Sequence, residues 1–126
     1  MAAWIRRTLW IAFALTLLLQ LVVLYVPSAP AGPGIPGFDK LVHTGVFLLP
    51  AALGVVAGIR AAWLAAGLAV HAVVSELVQL TLLPARAGDV WDVVADLVGV
   101  ALGTALGLAV RHRIRARASA AAVRDA

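Results

Sequence analysis

The chain has 126 residues, 63% hydrophobic and 13% charged, with a formal net charge of +4 and no cysteine. A soluble domain averages about a quarter charged residues, so this chain has too little polar surface to cover its own core; a mean hydropathy of +1.03 directs the excess apolar area to lipid. Disulfides and thiolate metal sites are excluded, and the basic pI of 11.2 lacks the aromatic–basic interleaving of a nucleic-acid binder, so no nucleic-acid partner is expected.

A membrane-spanning helix needs about 20 mainly apolar residues. Four stretches of one domain meet that length: residues 8–26, 41–59, 61–83 and 91–110. The first is broken only by Gln20. Its preceding Arg6-Arg7 and the later Ala29-Pro30-Ala31 have the outline of a signal peptide. The apolar run is longer than the 7–15 residues of a signal core, and proline disfavours cleavage, so a retained helix is expected. The connection from Pro27 to Asp39 is rich in proline and glycine and ends the first helix. The second segment carries Pro50, which should kink it. The other connections are short. Residues 1–7 and the basic tail 111–126 flank the membrane domain 8–110, and the tail is expected to fray. Trp4, Trp10, Trp63 and Trp91 lie near segment ends, as interfacial anchors do.

Orientation follows from the basic residues. Eight arginines and Asp125 fall on one side of an alternating bundle, a sum of +7; Lys40 and Arg86 face five acids on the other, a sum of −3. The positive-inside rule then places both termini in the cytoplasm. The expectation is an all-α membrane protein, a four-transmembrane-helix bundle, N-in/C-in.

Asp39, Glu76, Asp89, Asp92 and Asp96 come from three helix ends yet converge on the outer half of this bundle. At 1.5 Å per residue, Glu76 lies roughly 10 Å and Asp96 roughly 8 Å below their outer helix ends. Asp92 and Asp96 share a face, and Gly99, Gly103 and Gly107 continue it, so the acidic face is also a close-packing face. His43, one turn below Asp39, points into the same region. Ionisable groups at such depth mark a functional site by default. Structural readings stand beside this one: Asp89 as the cap of the last helix, Glu76 clamped by Arg86 or Lys40, and Asp92 solvated at the rim. His71 either joins Ser75 and Gln79 in a polar stripe or is a satisfied interhelical histidine, the reading preferred here.

The order of motifs is also informative. "DKLVH" (Asp39 to His43) opens the second helix, "SELVQLTLLPAR" (Ser75 to Arg86) closes the third, and "DVVADLVGVALG" (Asp92 to Gly103) opens the fourth. This arrangement resembles the VanZ-like family of small bacterial membrane proteins, over about Phe38 to Gly107. The resemblance implies polar family positions at Asp39, Lys40, His43, Glu76, Gln79, Arg86, Asp92, Asp96 and Gly99. Asp96 stands where the family usually has Asn, and "PAR" replaces the commoner "PGR". The resemblance further implies reduced susceptibility to glycopeptides such as teicoplanin.

Three functions follow, in this order. The first is recognition of an envelope lipid head group or cell-wall precursor, with Lys40 and Arg86 holding a phosphate or carboxylate and the acids and His43 orienting hydroxyls or amines. The second is an enzyme using Glu76 and Asp96 as a coupled carboxylate pair with His43 as acid or base, or a hard cation on the carboxylates to activate water. The third is a scaffold whose polar cluster only locks the helices together. The sequence does not identify a cofactor or metal, and no G-x-S-x-G, H-E-x-x-H or phosphate loop is present to name a reaction.

Overall fold

The computed structural model describes residues 3–28, 34–83, 85–86 and 88–124. Ala29, Pro30, Ala31, Pro84 and Asp125, on which parts of the sequence reading rest, lie outside them. The described residues form four helices: α1 Ala3–Tyr25, α2 Phe38–Ala57, α3 Ala61–Leu82 and α4 Val90–Arg124. Each is long and apolar enough to cross a membrane. The fold is an all-α bundle, as the four apolar runs require.

Local chemistry sets the helix limits. Gly37 precedes α2 with φ 76, and Gly58 follows it with φ 109, a left-handed value that glycine adopts without strain. Gly58 N–H donates to Val55 O at 3.1 Å and Ile59 N–H to Gly54 O at 2.9 Å. This paired closure stops α2 and lets α3 begin after only three residues. Pro50 is accommodated within α2 and is buried.

One expectation is corrected. The tail does not fray after Val110; α4 continues to Arg124, 35 residues in all. Alanine and arginine, which dominate this tail, are among the strongest helix formers. At 1.5 Å per residue α4 is about 52 Å long, well beyond a hydrocarbon core of about 30 Å. Residues 112–124 are exposed, and Arg111 itself donates to Val55 O at the end of α2, at 3.4 Å.

Helix α2 is central, with its most extensive interface against α4. Glycine makes this possible. A Cβ at Gly99, Gly103 or Gly107 would run into the carbonyl oxygens of Thr44, Leu48 and Ala52 respectively. The small-residue seam therefore puts the backbones of α2 and α4 in contact, the packing that replaces hydrophobic drive between helices in lipid. Thr44 Oγ1 adds a bond to Ala95 O at 3.1 Å. Leu24, Val46, Phe47, Ala51, Leu68, Ala72 and Val100 form the buried core. Leu15, Leu18, Val70, Leu80 and Leu102 point outward, and this apolar jacket suits a lipid bilayer.

Candidate functional site

The end of α1, the start of α2, the end of α3 and the start of α4 meet at one end of the bundle. Asp89 organises the meeting. Its Oδ1 accepts from Trp91 N–H at 3.0 Å and so caps α4. Its Oδ2 accepts from Lys40 Nζ at 2.8 Å. Its own N–H donates to Glu76 Oε1 at 2.6 Å. Gly88 allows this: a Cβ there would lie 2.8 Å from Leu80 Cβ, so only glycine lets the chain lie against the last turns of α3.

Lys40 binds three carboxylates at once: Asp39 at 2.9 Å, Asp89 at 2.8 Å and Asp92 at 2.6 Å. An ammonium has three protons, so its donors are fully used. Asp89, outside the helices, has its carboxyl held below the usual range, first by the Lys40 ammonium and then by the Trp91 N–H.

Beneath this outer group lies an inner one. His43 Nδ1 is 2.9 Å from Asp96 Oδ1, and His43 Nε2 is 3.9 Å from Asp92 Oδ2. Side-chain exposure falls steadily inward, from 60% at Asp39 and 40% at Asp89 to 9% at Asp92, 7% at His43 and 0% at Asp96. The cluster is thus a funnel, exposed at its rim and buried at its base. Glu76 closes one side, with donor atoms of His43, Glu76 and Asp92 all within 4.8 Å of one another.

Satisfaction of polar groups divides the funnel. The rim carboxylates share Lys40. At the base, Glu76 Oε2 and Asp96 Oδ2 are buried without a hydrogen-bond partner. A buried unpartnered carboxylate oxygen is expensive, and natural structures keep such atoms for a reason.

Comparisons with known protein families, with curated proteins and with solved structures found no match. The geometry itself therefore carries the functional argument.

Asp39, Lys40, His43, Glu76, Asp92 and Asp96 are brought together as the sequence led one to expect. Asp89 caps α4, also as expected. Arg86 does not join them. Its guanidinium turns to α1, donating through Nε to Val26 O at 3.2 Å and through Nη2 to Val23 O. It satisfies the orphan carbonyls of a helix end and pairs with no carboxylate among the described residues. The expected Glu76–Arg86 or Glu76–Lys40 clamp is likewise replaced by the Asp89 backbone N–H. Gln79 is buried, with its amide nitrogen unpartnered. His71 is the interhelical histidine expected, with Nε2 3.1 Å from Tyr25 Oη, and Ser75 bonds within its own helix to Ala72 O at 3.0 Å. No hydrogen bond joins His71 to Ser75 or Gln79 among the described residues.

Sequence reasoning passed over one group. Gln20, in the last third of α1, is fully buried and both its amide atoms lack partners. The signal was present, as a lone amide in an otherwise apolar helix.

Proposed function

We propose that this chain is a VanZ-like multi-pass protein of the bacterial cytoplasmic membrane, with both termini inside and the carboxylate funnel facing outward. There it recognises or acts on an envelope lipid head group or cell-wall precursor, and lowered glycopeptide susceptibility follows from the altered envelope. The observation that carries this reading is the unpartnered pair of buried oxygens, Glu76 Oε2 and Asp96 Oδ2, at the base of a funnel whose rim is exposed. A scaffold accounts for the Lys40 group, whose donors are all used. It does not account for acceptors buried with nothing to accept.

The charge balance refines the ligand. Lys40 is already committed to three acids and Arg86 to backbone carbonyls, so neither cation supports phosphate or carboxylate capture. An acceptor-rich pocket favours amine and hydroxyl groups. A second reading, acid–base catalysis in the same pocket, is favoured by the His43–Asp96 contact, which orients the imidazole as a general acid or base requires.

The test is single replacement of Glu76 by Gln and Asp96 by Asn in the native host, with membrane abundance and teicoplanin susceptibility measured together. Normal abundance with raised susceptibility supports a working site. Normal abundance with unchanged susceptibility refutes the resistance reading. Reduced abundance in both variants returns the cluster to a structural role.

A further inference from the structure

The donors of Lys40 at the rim are all used, but the acceptors at the base are not all met. Glu76 is 7% exposed and Asp96 is fully buried, and each ends in an oxygen with no partner. Neither nearby cation relieves them, because Lys40 is occupied at the rim and Arg86 faces α1. The base lacks positive charge.

The donor geometry indicates what kind. Atoms of His43, Glu76 and Asp92 lie within 4.8 Å of one another. Ligands held about 2.0–2.2 Å from one ion lie at most about 4.4 Å apart, so the 3.9 Å between His43 Nε2 and Asp92 Oδ2 already falls in that range. Glu76 brings a carboxylate oxygen within 4.8 Å of both. On the far side of the ring, Nδ1 sits 2.9 Å from Asp96 Oδ1. An imidazole whose Nδ1–H is held by a carboxylate presents its Nε2 lone pair outward, the arrangement by which outer carboxylates orient metal-bound histidines.

We propose that His43, Glu76 and Asp92 form a binding site for one divalent transition-metal ion, with Asp96 as the positioning residue behind His43. The inference rests on the funnel being the working site of the reading above, and it names the ion that completes it. One imidazole nitrogen with two carboxylate oxygens suits Zn²⁺ or Mn²⁺ better than Mg²⁺ or Ca²⁺, which take oxygen-only shells. Two ligating carboxylates balance the ion's charge. Three protein ligands leave a coordination position open.

The test uses the full chain, purified in detergent without a histidine tag and stripped with chelator. It is dialysed against Zn²⁺ in excess Mg²⁺, and bound metal is counted by mass spectrometry. The expected result is about one Zn²⁺ per chain. His43→Gln, Glu76→Gln and Asp92→Asn should each weaken binding at least ~10-fold, and Asp96→Asn by about 10–100-fold. His112→Gln, in the exposed tail, should bind as the wild type does. Absence of saturable binding by the wild type overturns the proposal, as does binding unchanged in His43→Gln or lost in His112→Gln. Should a variant fail to fold, the wild type alone decides: Zn²⁺ must raise its thermal midpoint, and no rise overturns the site. The two readings separate cleanly. Zn²⁺ binding with unchanged teicoplanin susceptibility in Glu76→Gln keeps the metal site and removes the resistance function. Changed susceptibility in a protein that binds no Zn²⁺ does the reverse.

Discussion

His43 Nδ1 on α2 lies 2.9 Å from Asp96 Oδ1 on α4, and both side chains are withdrawn from solvent. This contact crosses the interface where the two backbones touch, so the base of the funnel is built into the tightest joint of the bundle. Its geometry depends on the glycine seam one turn further in.

Gly103→Ala should therefore destabilise the bundle, since the new Cβ meets Leu48 backbone and Ala51 Cβ. Overpacking of this kind costs about 1–3 kcal/mol. Gly67→Ala is the matched control, with open space around its Cβ, and should be neutral or gain up to about 1 kcal/mol from helix propensity. Thermal midpoints in detergent will separate the two.

Arg86→Gln should lower stability while leaving the funnel's own contacts in place. The guanidinium covers two terminal carbonyls of α1, and hydrogen bonds from a charged donor are worth about 1.5–3 kcal/mol. The expected signature is a lower thermal midpoint, with Zn²⁺ affinity retained in the folded fraction. Loss of affinity at unchanged stability would place Arg86 in the site after all.

The rim should be acid-sensitive. The Asp89 carboxyl is depressed, chiefly by Lys40, so its contribution is present above the ordinary aspartate value of about 3.9. It is lost as pH falls through the lower folded value. Asp89→Asn keeps a capping oxygen but not the charge. The difference in thermal midpoint between wild type and Asp89→Asn should be largest near neutral pH and shrink toward pH 3. A difference that grows on acidification would contradict the Lys40 assignment.

Removal of residues 114–126 should leave the thermal midpoint unchanged, because the described part of that tail is exposed throughout. Arg111, whose side chain reaches α2, is kept. A fall in midpoint would show that the projecting part of α4 supports the bundle.

Much of this architecture was legible in the residues. Four apolar runs of spanning length fix four helices, and their alternation brings distant acids to one end. The three- and four-residue spacing of Asp92, Asp96, Gly99, Gly103 and Gly107 marked a single face, which is the face that meets α2. Other features depend on contacts that no spacing encodes. Arg86 has a long side chain that reaches either the acids or α1, and the choice rests on how closely the end of α1 approaches. The partner of Glu76 is a backbone N–H, invisible to any count of charges. Gln20 carries no charge, so an argument organised around charge overlooked it. The tail was expected to fray, whereas its alanine and arginine content favours a helix, which runs to Arg124.

The division of the funnel among helices has a mechanical consequence. Lys40, His43, Asp92 and Asp96 all ride on α2 and α4, which the glycine seam joins into one stiff unit. Glu76 alone arrives on α3, which shares a smaller interface with either partner. The pocket is therefore a vice with one fixed jaw and one movable jaw. Its Glu76 side is held shut by the bond to Asp89 and by the fit of Gly88 beneath Leu80. Any widening to admit a bulky group is borne by α3, leaving the His43–Asp96 contact undisturbed.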